Sequence, residues 1–201
     1  MKFNKKYLCI TLMSIFLIYI LVGCSPVILE KSPASTNTAI SSDTADTNTD
    51  STSYYFSKAN QHPDEALINI INSSKETLNI AIYSLTKKEI VNAIINAKNR
   101  GVNVRLITDK EESSYKSEKP QLALLKKNGI PIKINSHSGL MHLKVTIADK
   151  STTTTGSYNY TESATNKNDE VLVVIKGETT ATTFENQFDN MWNDTVNFKE
   201  Y

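Results

Sequence analysis

From about residue 62 onward the hydrophobic period of this chain switches repeatedly between two and about 3.6 residues. That alternation limits the fold more than any other feature. His62-Pro63-Asp64-Glu65, followed by Ala66, Leu67, Ile68, Ile70 and Ile71, reads as a capped amphipathic helix. Residues 77–85 (TLNIAIYSL) alternate apolar and polar side chains and predict a strand. Residues 87–99 place Ile90, Val91, Ile94, Ile95 and Ala97 at helical spacing, with Arg100-Gly101 as a stop. A strand at 102–108 (VNVRLIT), a short helix at 121–127 ended by Asn128-Gly129, and a strand at 130–134 (IPIKI) follow. Three more strands are expected at 141–148, 152–155 and 170–175, then a closing helix at 180–192 with Phe184, Phe188 and Trp192 at four-residue steps. The order β-α-β-α-β, then a cluster of strands and a last helix, implies an α/β fold with a mixed β-sheet flanked by helices. The apolar and aromatic stripes are core. No glycine-rich phosphate loop and no internal repeat is present.

The N-terminal quarter has a different composition. Residues 25–53 are almost all Ser, Thr, Asn, Asp, Ala and Pro, which cannot bury enough apolar surface to offset their ordering entropy, so a disordered tether is expected there. Met1-Lys-Phe-Asn-Lys-Lys6 is basic, and residues 7–22 form an apolar run shorter than the roughly 20 residues a membrane span needs. The pair fits a secretory signal. Leu21-Val22-Gly23-Cys24 resembles the bacterial lipobox, in which the cysteine is diacylated and becomes the first mature residue. The expected organisation is a signal peptide at 1–23, a lipidated Cys24 opening a tether at 24–53, and a folded domain at 54–201 held outside the cytoplasm on the cell membrane. Of the 2 cysteines, Cys9 leaves with the signal and Cys24 carries lipid. The domain then has no thiol for a disulfide or a cysteine-ligated zinc. From Tyr54 onward 18 Lys and Arg face 17 Asp and Glu, so the domain has a net charge of +1, like the whole chain. With no general basic field, phosphate recognition must come from a few cations inside a cleft.

The chemistry concentrates in Met141-His-Leu-Lys-Val-Thr-Ile-Ala-Asp149 and in Gly156-Ser-Tyr-Asn159. On a strand His142, Lys144 and Thr146 share one face, while Leu143, Val145 and Ile147 turn to the core. An imidazole and an ammonium about 7 Å apart along that strand can address one phosphate. The next strand brings Gly156 alongside, where the backbone can approach closely, and the Ser157 hydroxyl and Asn159 amide can donate to non-bridging oxygens. His137, in a Ser-rich loop, and His62, at a helix start, lack partners at metal-ligand spacing.

His142, Lys144, Asp149, Gly156, Ser157 and Asn159 together fit H-x-K-x4-D-x6-G-S-x-N. This resembles the HKD motif of the phospholipase D superfamily. Ile82-Tyr-Ser-Leu-Thr86, the segment 97–109, Gly129-Ile-Pro-Ile, and Asn168-Asp-Glu170 are similar to its single-motif bacterial endonuclease branch. The resemblance implies a phospholipase D/nuclease-like sandwich and a two-step displacement without a metal or other cofactor. One His142 forms a phosphohistidine, and a second motif's His protonates the leaving oxygen and then activates water. Lys144, Ser157 and Asn159 would stabilise the phosphoryl oxygens. Glu170 would accept from the other ring nitrogen of the nucleophile, and Asp149 would support the site structurally. The larger family members carry two motifs and this chain carries one, so a homodimer sharing one active site is implied. The expected activity is that of a nuclease acting on DNA or RNA. The alternatives are a phospholipase D or phosphatidyl transferase acting on membrane lipid, and a catalytically silent nucleic-acid-binding module.

Overall fold

The computed structural model describes residues 50–201. The signal peptide, Cys24 and the tether up to residue 49 lie outside the described residues. The elements run β1 (Ser51–Phe56), α1 (Pro63–Ser73), β2 (Thr77–Ile82), α2 (Lys88–Asn99), β3 (Asn103–Thr108), α3 (Lys119–Lys127), β4 (Ile132–Asn135), β5 (Lys144–Ala148), β6 (Thr152–Gly156), α4 (Glu162–Asn166), β7 (Val171–Lys176), α5 (Glu178–Asn193) and β8 (Phe198–Glu200). The strands form one 8-stranded sheet in the order β1-β7-β6-β5-β2-β3-β4-β8. β2, β3 and β4 are parallel and linked through helices, whereas β5 lies antiparallel to β2 and the remaining pairings are antiparallel. The sheet is mixed, as expected.

Strand alternation divides the interior into two cores. Leu78, Ile80, Ile82, Val104 and Leu106 face one way and pack with Leu67 and Ile71 of α1, Ile90 and Ile94 of α2, and Leu122 and Leu125 of α3. Ala81, Ile107, Val145 and Ile147 face the other way and pack with Phe188 and Met191 of α5. Both faces are therefore covered. Thr146, on the face shared with His142, is as fully buried as its neighbours Val145 and Ile147, so the sequence reading of a single core face is corrected to two.

Polar members of the alternating strands are drawn inward too, Asn79 fully and Arg105 in part. Asn79 of β2 and Arg105 of β3 are register partners on the α5 side. Asn79 Nδ2 donates to both oxygens of Glu185 at 2.8 Å, and Arg105 Nε donates to Asn79 Oδ1 at 2.8 Å. Arg105 also pairs with Asp189 at 2.8 Å, and its guanidinium lies 5.0 and 5.4 Å from the ring centres of Phe188 and Trp192. A charged cluster so placed is stable only while every member is paired.

Several boundaries differ from the sequence reading. β1 starts at Ser51, inside the stretch read as tether, because residues 51–56 find a ladder on β7. The strand expected at 141–148 starts at Lys144, although the Leu143 carbonyl still accepts from the Tyr83 N–H at 2.8 Å. α4 and β8 are short and were not expected from the sequence.

Replacing Glu185 by Ala leaves Asn79 and Arg105 underpaired beneath α5 and is expected to cost about 3 kcal/mol. Glu185→Gln should cost less. Denaturant midpoints measure both, and an unchanged midpoint for Glu185→Ala would show that this network does not hold α5 to the sheet.

Candidate active site

At one end of the sheet β2, β3 and β6 finish while β5 and β7 begin, so five of the six candidate site residues meet there. His142, Lys144, Gly156, Ser157, Asn159 and Glu170 line a cleft of about 430 Å³. The antiparallel pairing of β5 with β6, with Thr146 opposite Thr154, brings the two halves of the motif side by side.

His142 and Lys144 are closer than their strand spacing suggests. Lys144 Nζ lies 3.2 Å from His142 Nε2 and donates to the His142 carbonyl at 2.9 Å. An ammonium can only donate, so this contact suits an imidazole whose Nε2 is the acceptor. Lys144 is 6% exposed, and burial pulls its pKa down while the Glu170 and Glu112 carboxylates pull it partly back. Tyr83, at the end of β2, supports both groups: its ring centre lies 4.5 Å from that of His142 and 4.9 Å from Lys144 Nζ. The face of an aromatic ring attracts a cation and offsets part of its desolvation.

The Gly156–Asn159 side is set by the backbone. Gly156 has φ of 130°, and a Cβ there would lie 2.2 Å from the Val171 carbonyl oxygen. That same oxygen accepts from the N–H groups of Ser157 and Tyr158 at 3.1 and 3.3 Å. Ser157 Oγ accepts from the Val171 N–H at 3.2 Å, which leaves its own proton to donate into the cleft. Asn159 stands between the fully buried Tyr158 and Tyr160. Tyr160 is clasped by the Ser84 carbonyl, by the N–H groups of Thr86 and Lys87, and by Thr146 Oγ1 at 2.7 Å. Asn159 Oδ1 is buried with no partner among the described residues.

Two expected roles need correction. Glu170 lines the cleft, but its Oε1 accepts from Asn168 Nδ2 at 3.2 Å, and the bond expected from His142 Nδ1 is not formed. Asp149 is not in the cleft. It sits past the other end of β5, roughly 20 Å along the chain from His142 by strand rise, with a left-handed φ of 51°. Its carboxylate accepts from the N–H groups of Lys75, Glu76 and Thr77 at 2.8–3.1 Å. Burial pushes its pKa up, but those three donors and the Lys75 charge outweigh it and hold the carboxyl below its usual range. Its part is to pin the turn before β2. His137, His142 and Asp149 form no metal site, since among the described residues no group of three or more His, Cys, Asp or Glu is arranged to hold an ion.

Sequence reasoning missed Glu118 and the contacts of Tyr83. Glu118 is fully buried behind the cleft, accepts from the Leu85 N–H at 3.1 Å and Thr108 Oγ1 at 2.9 Å, and has its pKa raised to about 7 by burial. Its only sequence signal is an acid beside a helix start. Tyr83 could have been found as an aromatic ending an alternating strand.

A strand carrying His and Lys toward a Gly-Ser-x-Asn turn, on a mixed sheet covered on both faces, defines a class, and comparison with known proteins agrees. The family described as cardiolipin synthase, PLD-like domain matches residues 67–192. A phospholipase D of Rickettsia conorii is 32% identical over 118 residues, 59% of this chain and 58% of its own. A mitochondrial cardiolipin hydrolase of Chlamydomonas reinhardtii is 26% identical over 125 residues, 62% of this chain and 55% of its own. The chain thus spans a little over half the length of these curated relatives. The crystal structure of the phospholipase D family member Nuc from Salmonella typhimurium superposes with a TM-score of 0.71 at 28% identity, covering 76% of this chain and 99% of that one. NucT from Helicobacter pylori superposes with a TM-score of 0.64 at 25% identity, covering 72% and 96%. The chain belongs to the phospholipase D superfamily, among its single-motif members.

Asp149→Asn keeps a residue that tolerates the left-handed backbone and removes the charge. It should cost about 1–2 kcal/mol at neutral pH and leave the cleft chemistry intact per folded molecule. Because the folded pKa is depressed, this stabilisation is present above about pH 4 and is lost as pH falls through the folded value. The gap between wild type and variant should therefore close in acid, as read from denaturation at several pH values.

Proposed function

We propose that this chain is a phosphodiesterase that hydrolyses nucleic acid through a covalent phosphohistidine on His142, working as a homodimer. The carrying observation is His142 Nε2, 3.2 Å from the buried Lys144 Nζ, in a cleft shared with Ser157 and Asn159. In the first step Nε2 forms a bond to phosphorus, and the bond to the leaving oxygen breaks as that oxygen takes a proton from a second imidazole. In the second step the now neutral second imidazole removes a proton from water, the hydroxide bonds to phosphorus, and His142 leaves. Two easier displacements replace one difficult one, and an imidazole titrates in the range that proton transfer needs. Lys144, Ser157 and Asn159 stabilise the charge that builds on the non-bridging oxygens. Glu170, which lines the same cleft, is the carboxylate available to orient an imidazole.

Each chain supplies one such histidine, so the second comes from another copy. Leu140 and Leu143 flank His142 at 46% and 41% exposure above a hollow of about 610 Å³, an apolar rim that supports burial against a twin. We also infer that Cys24 carries the lipid that holds the domain outside the cytoplasm, on the strength of the residues 21–24 pattern. Cys24→Ser should then move the protein from the membrane fraction to the soluble one.

A second reading, hydrolysis of a phospholipid headgroup, is favoured by the names phospholipase D and cardiolipin hydrolase borne by the curated relatives. The full chain, in chelator, is expected to release acid-soluble nucleotides from DNA or RNA faster than it cleaves cardiolipin or phosphatidylcholine vesicles, and to sediment as a dimer. His142→Ala should lower the rate by roughly 10³-fold or more. Activity that survives His142→Ala removes the proposed nucleophile. Lipid turnover without nucleotide release selects the second reading, and binding without any turnover selects a silent module.

A further inference from the structure

The cleft has a neighbour. Phe56, Lys58, Ser157, Asp169, Glu170 and Val171 line a second hollow of about 240 Å³, and Ser157 and Glu170 belong to both. Its aromatic wall comes from the last residue of β1. Phe56 is 48% exposed, and Tyr54, two positions back on the same strand face and about 7 Å away by strand rise, is 58% exposed. Their register partners Val171 and Val173 are half-buried. The result is a short aromatic shelf on the edge strand, running up to the phosphate cleft. β1 lies outside residues 67–192, the span matched by the family.

We propose that this hollow is a subsite for a nucleobase next to the scissile phosphodiester, stacked on the Phe56 ring, and that it directs the chain to single-stranded nucleic acid. The assignment rests on the nuclease reading and deepens it. A group bound between Phe56 and the Ser157–Glu170 wall shares that wall with the phosphate seat. Phe56 offers an open ring face, and every base has a face to stack on it. The rim is charged: the Lys58 head, held by the Asn166 carbonyl at 3.0 Å, and the Asp169 carboxylate can meet the polar edge of a base. A base paired inside a duplex cannot present its face to a side chain, so the shelf selects strands whose bases are free.

Phe56→Ala, Phe56→Leu and Phe56→Trp in the full chain, assayed on single-stranded DNA and RNA oligonucleotides with and without an abasic residue, test this. Phe56→Ala is expected to lower kcat/KM on the intact strand about tenfold or more. Phe56→Leu, which keeps apolar bulk without a ring, should fall with it, and Phe56→Trp should stay at the wild-type level. At the step beside the abasic residue wild type should already be slow, and Phe56→Ala should slow it no further. The subsite is overturned if Phe56→Ala or Phe56→Leu cuts the intact strand like wild type, or if the loss is the same beside the abasic residue. Failure of the nuclease reading looks different: wild type then leaves every oligonucleotide whole, and both proposals fall together.

Discussion

The cleft depends on the antiparallel register that sets Lys144 of β5 beside Ile82 of β2. Because side chains alternate along a strand, a slip of one residue would turn His142 and Lys144 toward α5 and bring Leu143 into the cleft. Three contacts hold that register. At its start the Tyr83 N–H reaches the Leu143 carbonyl, in its middle Thr146 Oγ1 meets the Tyr160 hydroxyl, and past its end Asp149 gathers three N–H groups ahead of β2. The middle contact also ties β5 to the segment carrying Asn159. One strand's position therefore settles the geometry of both halves of the motif.

Electrostatics follow from the same placement. In a chain of net charge +1 a phosphate cannot be gathered by a general field, so the attraction has to be local. Lys144 is placed to supply it from a buried position, where a cation acts on an anion through a lower effective dielectric than at the surface. The desolvation cost is met by the His142 carbonyl, the imidazole and the face of Tyr83. Tyr83 is thus part of the charge balance of the site as well as a wall against which His142 rests.

The succession of the main elements from α1 to α5 along the chain and the meeting of His142, Lys144, Ser157, Asn159 and Glu170 were legible in the sequence because each rests on local periodicity or fixed motif spacing. What was not legible rests on long-range partners. β1 is polar and follows a low-complexity stretch, and only the β7 ladder makes it a strand. The polar positions of TLNIAI and NVRLIT looked solvent-facing, yet α5 brings Glu185 and Asp189 more than eighty residues later to pair with Asn79 and Arg105. Asp149 fits the motif spacing but answers to backbone donors at residues 75–77, which no spacing rule reveals. The expected bond from Glu170 to His142 failed for a related reason. Its carboxylate has a partner in Asn168, two residues away.

β1 begins at Ser51 opposite Lys176 and ends at Phe56 opposite Val171, beside Glu170. Ser51 lies about 17 Å from Phe56 by the rise of five residues, so β1 enters the sheet at the end away from the cleft and finishes beside it. The same edge strand therefore carries Tyr54 and Phe56 up to the cleft, and the β7 ladder that makes residues 51–56 a strand also sets where their rings stand.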